Sequence, residues 1–194
     1  MFESKHIVNS KLGSFLFKIF HIIFALCIGV AASSEAHAQR APEYEVKAAF
    51  LYNFTRFVSW PDTAFANAMA PLVIGVFGPN PFGSALAKTI EGKTTQAHPI
   101  IVQRFSKTNE TDRCHILFIG SSDPRELSRI LEHLKSSPVL TVGEQDRFCQ
   151  TGGMVNFILA GRNVRFEMNP DAIDRAALSI SSRLLKLAKI VKDK

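Results

Sequence analysis

The segment Gly78-x-x-x-x-Gly83-Ser84 is the pattern in this chain that comes nearest to a chemistry-bearing motif. A phosphate-cradling loop needs glycines for close backbone approach, then a lysine and a hydroxyl for phosphate and metal. Ser84 stands where that lysine belongs, no lysine follows directly, and the spacing is not that of a dinucleotide fingerprint. The pattern therefore reads as a tight turn into a helix, with anion binding at the helix N-terminus as the chemical alternative. Metal chemistry has less to work with: His98, His115 and His133 form no i, i+4 pair and have no clustered carboxylates, so neither a metal nor a cofactor is expected. His115 lies inside an apolar run, where a histidine is more often a satisfied core residue than a ligand. A Ser-His-Asp site assembled from distant positions would draw on Ser84, Ser121 or Ser122, but no G-x-S-x-G elbow accompanies them. These residues point away from an enzyme.

The N-terminus sets the expected compartment. Lys5, Lys11 and Lys18 form a basic region, Ile19 to Ala32 an apolar run, and Ala36-His37-Ala38 the small-x-small site that signal peptidase reads. The run is too short and too weakly flanked for a membrane anchor. Cys27 follows Leu26 rather than a small residue, which argues against a lipid anchor. We therefore expect residues 1–38 to be a signal peptide cleaved near Ala38, and residues 39–194 to be one exported α/β domain. Those 156 residues suffice for a hydrophobic core, contain no further long apolar stretch, and carry 20 Lys and Arg against 15 Asp and Glu. The surplus is scattered, without basic runs interleaved with aromatics, so neither charge pattern nor compartment suits nucleic acid. Of the cysteines, Cys114 and Cys149 remain. An oxidising compartment invites a disulfide between them, yet Cys114 opens an apolar strand and reads equally as core.

The elements that must position these residues follow from periodicity. Pro42, with Glu43 and Glu45 in the first turn, starts a helix in which Val46, Ala49, Phe50, Phe54, Phe57 and Val58 recur at helical spacing. Trp60-Pro61 ends it, because the residue before proline is pushed out of the α region. Leu72 to Phe77 is a continuous apolar run, typical of a strand buried on both faces. Phe82 to Ile90 reads as a helix stopped by Gly92, and Pro99 to Phe105, Cys114 to Ile119 and Val139 to Val142 as further strands. Ser121-Ser122-Asp123-Pro124 caps a helix whose Leu127, Ile130, Leu131 and Leu134 share a face. Met154 to Leu159 and Val164 to Met168 flank Ala160-Gly161-Arg162-Asn163, a hairpin signal. Asn169-Pro170-Asp171 starts a last helix, whose apolar seam through Ile173, Ala176, Ala177, Ile180, Leu184, Leu187 and Val191 predicts that it runs to the C-terminus. Strands alternating with helices, then a hairpin, give an α/β fold: one mixed, mostly parallel sheet flanked by helices, with a C-terminal β-hairpin and a long C-terminal helix.

Four stretches are more specific than this pattern. They are VKAAFLYNFTRFVSWP over residues 46–61, PVLTVG over 138–143, GGMVNF over 152–157 running on to VRFEMN over 164–169, and ISSRLLKLA over 180–188. In that order they resemble the YfiR family of bacterial periplasmic proteins. The resemblance implies a repressor that inhibits an inner-membrane diguanylate cyclase through its periplasmic region. An outer-membrane, peptidoglycan-associated lipoprotein would sequester the repressor, so that cyclic di-GMP rises and biofilm formation follows. It also implies that the lipoprotein docks at an apolar pocket near the hairpin and the start of the last helix, at Val155, Glu167 and Ile173. Val155 stands where the family carries a larger aromatic, which makes that pocket shallower. Glu167, between Phe166 and Met168 on an alternating strand, is expected to face outward. Cys114 and Cys149 match one member of each of two separate bridges in the family pattern, with both partners missing here, which argues against a redox switch. The competing readings are a periplasmic sensor of a small ligand or anion at the Gly78–Gly83 turn, and a hydrolase using one of the serines. Homodimerisation is left open.

Overall fold

The structure, a computed structural model, describes residues 42–192. The signal peptide expected over residues 1–38, and Lys194 at the end of the expected last helix, lie outside the described residues. The chain forms helix α1 over residues 42–57, then β1 (Val58–Ser59), β2 (Leu72–Phe77), α2 (Ala85–Ile90), β3 (Thr94–Thr95) and β4 (His98–Phe105). It continues with β5 (Ile116–Ile119), α3 (Pro124–Leu134), β6 (Leu140–Gly143), β7 (Val155–Ala160) and β8 (Asn163–Met168). The C-terminal pieces are α4 (Pro170–Arg175), β9 (Ser179–Ile180), α5 (Ser182–Leu185) and β10 (Lys189–Ile190).

Eight strands make one sheet in the order β10-β8-β7-β6-β5-β2-β4-β3. β2 pairs in parallel with both β4 and β5, and the parallel pairing runs on through β6 to β7. The continuous apolar runs are explained by burial on two sides. Leu72, Ile74 and Val76 of β2, with Ile116 and Phe118 of β5, enter one core beneath α1 and α2, alongside Ala48, Leu51, Phe54 and Leu86. Val73 and Phe77, with Leu117 and Ile119, enter a second core against Ile130, Leu131 and Leu134 of α3. Crossovers between parallel strands are right-handed, so stepping from β2 to β4 and from β5 to β6 in opposite directions puts α2 and α3 on opposite faces. The expected caps hold: the Asp123 carboxylate accepts from the Arg125 N–H at 2.9 Å, and the Asn169 side chain from the Ala172 N–H at 3.1 Å.

The hairpin forms where the sequence places it, with Ala160 opposite Asn163 and Gly161 at φ +64°, the left-handed value a two-residue turn needs at its first central position. The long C-terminal helix does not form. α4 stops at Arg175, Ala177 adopts φ +56°, and the chain breaks into β9, α5 and β10. The apolar spacing is real, and Leu178 and Leu184 are both buried in the α1-side core, but from separate short pieces. Their backbones bond elsewhere: β9 runs antiparallel to β1, with Ile180 opposite Val58, and β10 runs parallel to β8. Ser181 then caps α5 by accepting from the Arg183 N–H at 3.3 Å. Serines at 179, 181 and 182 compete with a continuous helix by bonding locally to the backbone.

Candidate functional site

The sheet order reverses between β2 and β5, and the crevice beyond the carboxyl ends of these strands is where open α/β sheets usually take ligands. Here the two loops close on each other. A side chain at Gly78 would lie 3.4 Å from the Ser121 nitrogen, and one at Gly120 would collide with the Pro79 carbonyl oxygen. Asn80 Oδ1 accepts from the Phe82 N–H at 3.0 Å, turning the loop inward so that Phe82 packs edge-on to Phe118 with ring centres 4.8 Å apart. The Gly78–Gly83 segment is therefore a loop-packing device rather than an open anion cradle. Nor does Ser121 meet His115. Ser121 follows the C-terminal end of β5, where its hydroxyl accepts from the Asp123 N–H at 3.3 Å, whereas His115 precedes the N-terminal end of the same strand.

His115 is instead the centre of an aromatic stack. Phe65 lies between it and His98, with ring centres 4.4 Å and 4.0 Å apart, and Trp60 meets it edge-on while donating its indole N–H to the His115 carbonyl at 3.0 Å. His115 Nδ1 accepts from the Val73 N–H at 3.1 Å, which assigns its proton to Nε2. Burial lowers its pKa to about 4, with the charge of His98 acting the same way and the Ala64 carbonyl acting against. The stack pins the loop between Trp60 and Ala70, whose carbonyl contacts His98 Nδ1 at 2.6 Å.

A second polar assembly, which sequence reasoning missed, joins α1 to the end of β6. Lys47 is only 4% exposed; its ammonium donates to Glu43 and, at 2.6 Å, to Glu144, while the Tyr44 hydroxyl donates to Glu144 at 2.9 Å. The Glu43–Lys47 half, an i, i+4 pair, was visible in the sequence. Glu144, about a hundred residues away, was not. A cleft of about 330 Å³ lies between α3, the turn at 150–152 and α4, lined by Glu132, Lys135, Thr141 and Arg175 among others.

The three residues expected to receive a partner are not brought together on a surface. Val155 and Ile173 are fully or nearly fully buried in the α1-side core. Glu167 does not face open solvent. It projects from the opposite side of β8 to Phe166 and Met168, and is 7% exposed, with β10 paired alongside and Lys189 directly in register. Lys189 donates to the Glu167 carboxylate at 2.8 Å, and that hydrogen bond with the accompanying charge raises the lysine's pKa. Gly143, Asn156, Glu167 and Lys189 stand in one register row across four strands, with Gln145 and Phe148 so close to Gly143 that a side chain there would collide with both. The signal that could have located this row was the alternation of β8; its edge partner could not be read because the apolar spacing of the tail predicts a helix.

No disulfide joins Cys114 to Cys149. Cys114 donates its thiol to the Thr111 carbonyl at 3.2 Å beneath Gly75, and Cys149 lies in the turn before Gly152 with its sulfur 3.8 Å from the Met154 carbonyl. Burial pushes the Cys114 thiol far up, out of the range in which a thiolate forms readily. The pairing fails because each sulfur is seated in its own part of the core.

The order of the strands, the broken C-terminal segment and the motifs at 46–61, 138–143, 152–169 and 180–188 form one continuous unit, and the YfiR/HmsC-like family model matches it over residues 44–189. That span runs from the first turns of α1 to the start of β10, well over half of the chain. The chain belongs to the YfiR/HmsC-like family, a family of periplasmic regulators tied to cyclic di-GMP signalling.

Proposed function

We propose that this protein represses an inner-membrane diguanylate cyclase by binding the enzyme's periplasmic region, and that an outer-membrane, peptidoglycan-associated lipoprotein relieves the repression by capturing it. The observation that carries this reading is the family match across the described domain. The geometry supports it from another side. The side chains that had chemical promise are committed to packing: His115 to an aromatic stack, Ser121 to its own turn, Lys47 to two carboxylates. Regulation then rests on which of two partners holds the protein, and its strength on the difference between two affinities. In this reading a signal peptide cleaved near Ala38 exports the chain, and the mature protein begins at Gln39.

The lipoprotein contact is proposed to lie over the Glu167–Lys189 pair, since Val155 and Ile173 act from inside by holding β7 and α4 in place. Deleting the gene and measuring cellular cyclic di-GMP tests the repressor role. We expect the level to rise, and to return when the gene is restored. A level that stays at the parental value removes the repressor reading.

A further inference from the structure

Charge in this protein is divided unevenly along the chain. Residues 42–157 carry eleven Lys and Arg against eleven Asp and Glu, whereas residues 158–192 carry seven against three. All seven basic side chains of the second segment, among them Arg162, Arg165, Lys186, Lys189 and Lys192, are exposed. One of the three acids, Glu167, is buried against Lys189. Three of the six large exposed apolar residues, Leu159, Leu187 and Ile190, belong to the same segment.

This segment also ends the sheet. β10 pairs only with Glu167 and Met168 of β8, which leaves Asn163 to Phe166 without a strand on their outer side among the described residues. Ala160 and Asn163 flank a two-residue turn and form a hydrogen-bonded pair, so every second residue from Val164 aims its N–H and C=O away from β7. The Val191 N–H donating to the Met168 carbonyl at 2.9 Å confirms that alternation. Val164 thus presents an outward N–H and C=O at the sheet edge, flanked by Arg162 and Arg165.

We infer that the outer edge of β8 is an interaction surface for an extended acidic segment of a partner protein, which adds to the sheet as a strand beside Val164. Open backbone groups call for another backbone, the exposed Leu159 and Ile190 call for alternate apolar side chains, and Arg162 and Arg165 on either side of Val164 call for carboxylates between them. A second copy of this chain would bring the same basic strip against itself, so like charge disfavours it. The inference deepens the repressor reading by naming the chemistry of a bound partner. It is tested on purified protein, so the cyclic di-GMP result does not decide it.

The probe is a fluorescent eight-residue peptide alternating Asp or Glu with Val or Ile, titrated into the protein purified as the cell exports it. Fluorescence anisotropy should show saturable binding that weakens roughly tenfold when salt is raised from low to high ionic strength. Val164→Pro, which removes an N–H that no strand uses, should lose roughly tenfold or more in affinity. The double variant Arg162→Glu with Arg165→Glu should lose a similar factor. A peptide N-methylated at alternate residues should fail to bind the unaltered protein, which tests strand pairing even if Val164→Pro folds poorly. The inference is overturned by equal binding of the N-methylated peptide or of polyglutamate, by equal binding of a Lys-for-Glu peptide, by self-association that excludes the peptide, or by capture on phosphatidylglycerol vesicles without peptide binding.

Discussion

Strands β2, β5 and β6 and the segment from β8 to β10 are both rich in apolar residues, yet they are held by different means. In the first region each strand is sandwiched, and β2 and β5 divide their side chains between two cores. In the second, the chain after α4 breaks into short pieces: β9 pairs with β1 over two residues, α5 makes a single turn, and β10 adds two residues to the edge of the large sheet. The contrast teaches that apolar spacing fixes structure where both faces are covered. Where one face is open, it leaves the backbone partners to be chosen by what lies nearby.

This difference should show in stability. Phe118 on β5 is fully buried between α1 and Phe82, so Phe118→Ala should cost about 3–5 kcal/mol in denaturant unfolding. A loss below about 1 kcal/mol would mean that the centre of the sheet is no more demanding than its edge. The next effect is set by pH. The folded pKa of His115, about 4, lies below its ordinary 6.5, so between those values the unfolded chain binds a proton that the folded chain refuses. Stability should therefore be full above about pH 6.5 and decline as pH falls towards 4, by at most ~3 kcal/mol. His115→Asn, which keeps an acceptor for the Val73 N–H, should flatten that part of the profile; an unchanged slope would assign it to other groups. The smallest effect belongs to the edge. Lys189→Ala strips a nearly buried carboxylate of its partner and should lower stability by about 1–2 kcal/mol, less than Phe118→Ala, while speeding amide exchange at Val191, whose N–H bonds to Met168. A drop in midpoint comparable to that of Phe118→Ala would erase the distinction between the two regions.

The legibility of the sequence follows the same line. The first helix, apart from its end, the strand Leu72–Phe77, the caps at Asp123 and Asn169 and the hairpin turn were readable because each is set by neighbours within a few residues; the helix stops at Phe57 rather than at Trp60, because Val58 and Ser59 pair with the distant β9. The C-terminal segment misled because its apolar residues recur at intervals that a helix also satisfies, while β1 and β8, which claim its backbone, lie far away in sequence. The expected partner site was legible only as residue types. Val155 and Ile173 proved to be core and Glu167 proved to be nearly buried, since exposure depends on what packs around a position and not on the residue itself.

The sequence alone determined the class of the fold, the run of buried parallel strands, two helix caps and the hairpin turn, and a family whose motifs span the domain, because local propensity and hydrophobic period are properties of short stretches. Only the tertiary structure decided that the Gly78 loop closes on Ser121, that Lys47 reaches Glu144, that the two thiols lie apart and that the tail pairs beside Glu167. Each of these joins positions distant along the chain, and their meeting is fixed by how two cores pack on one sheet.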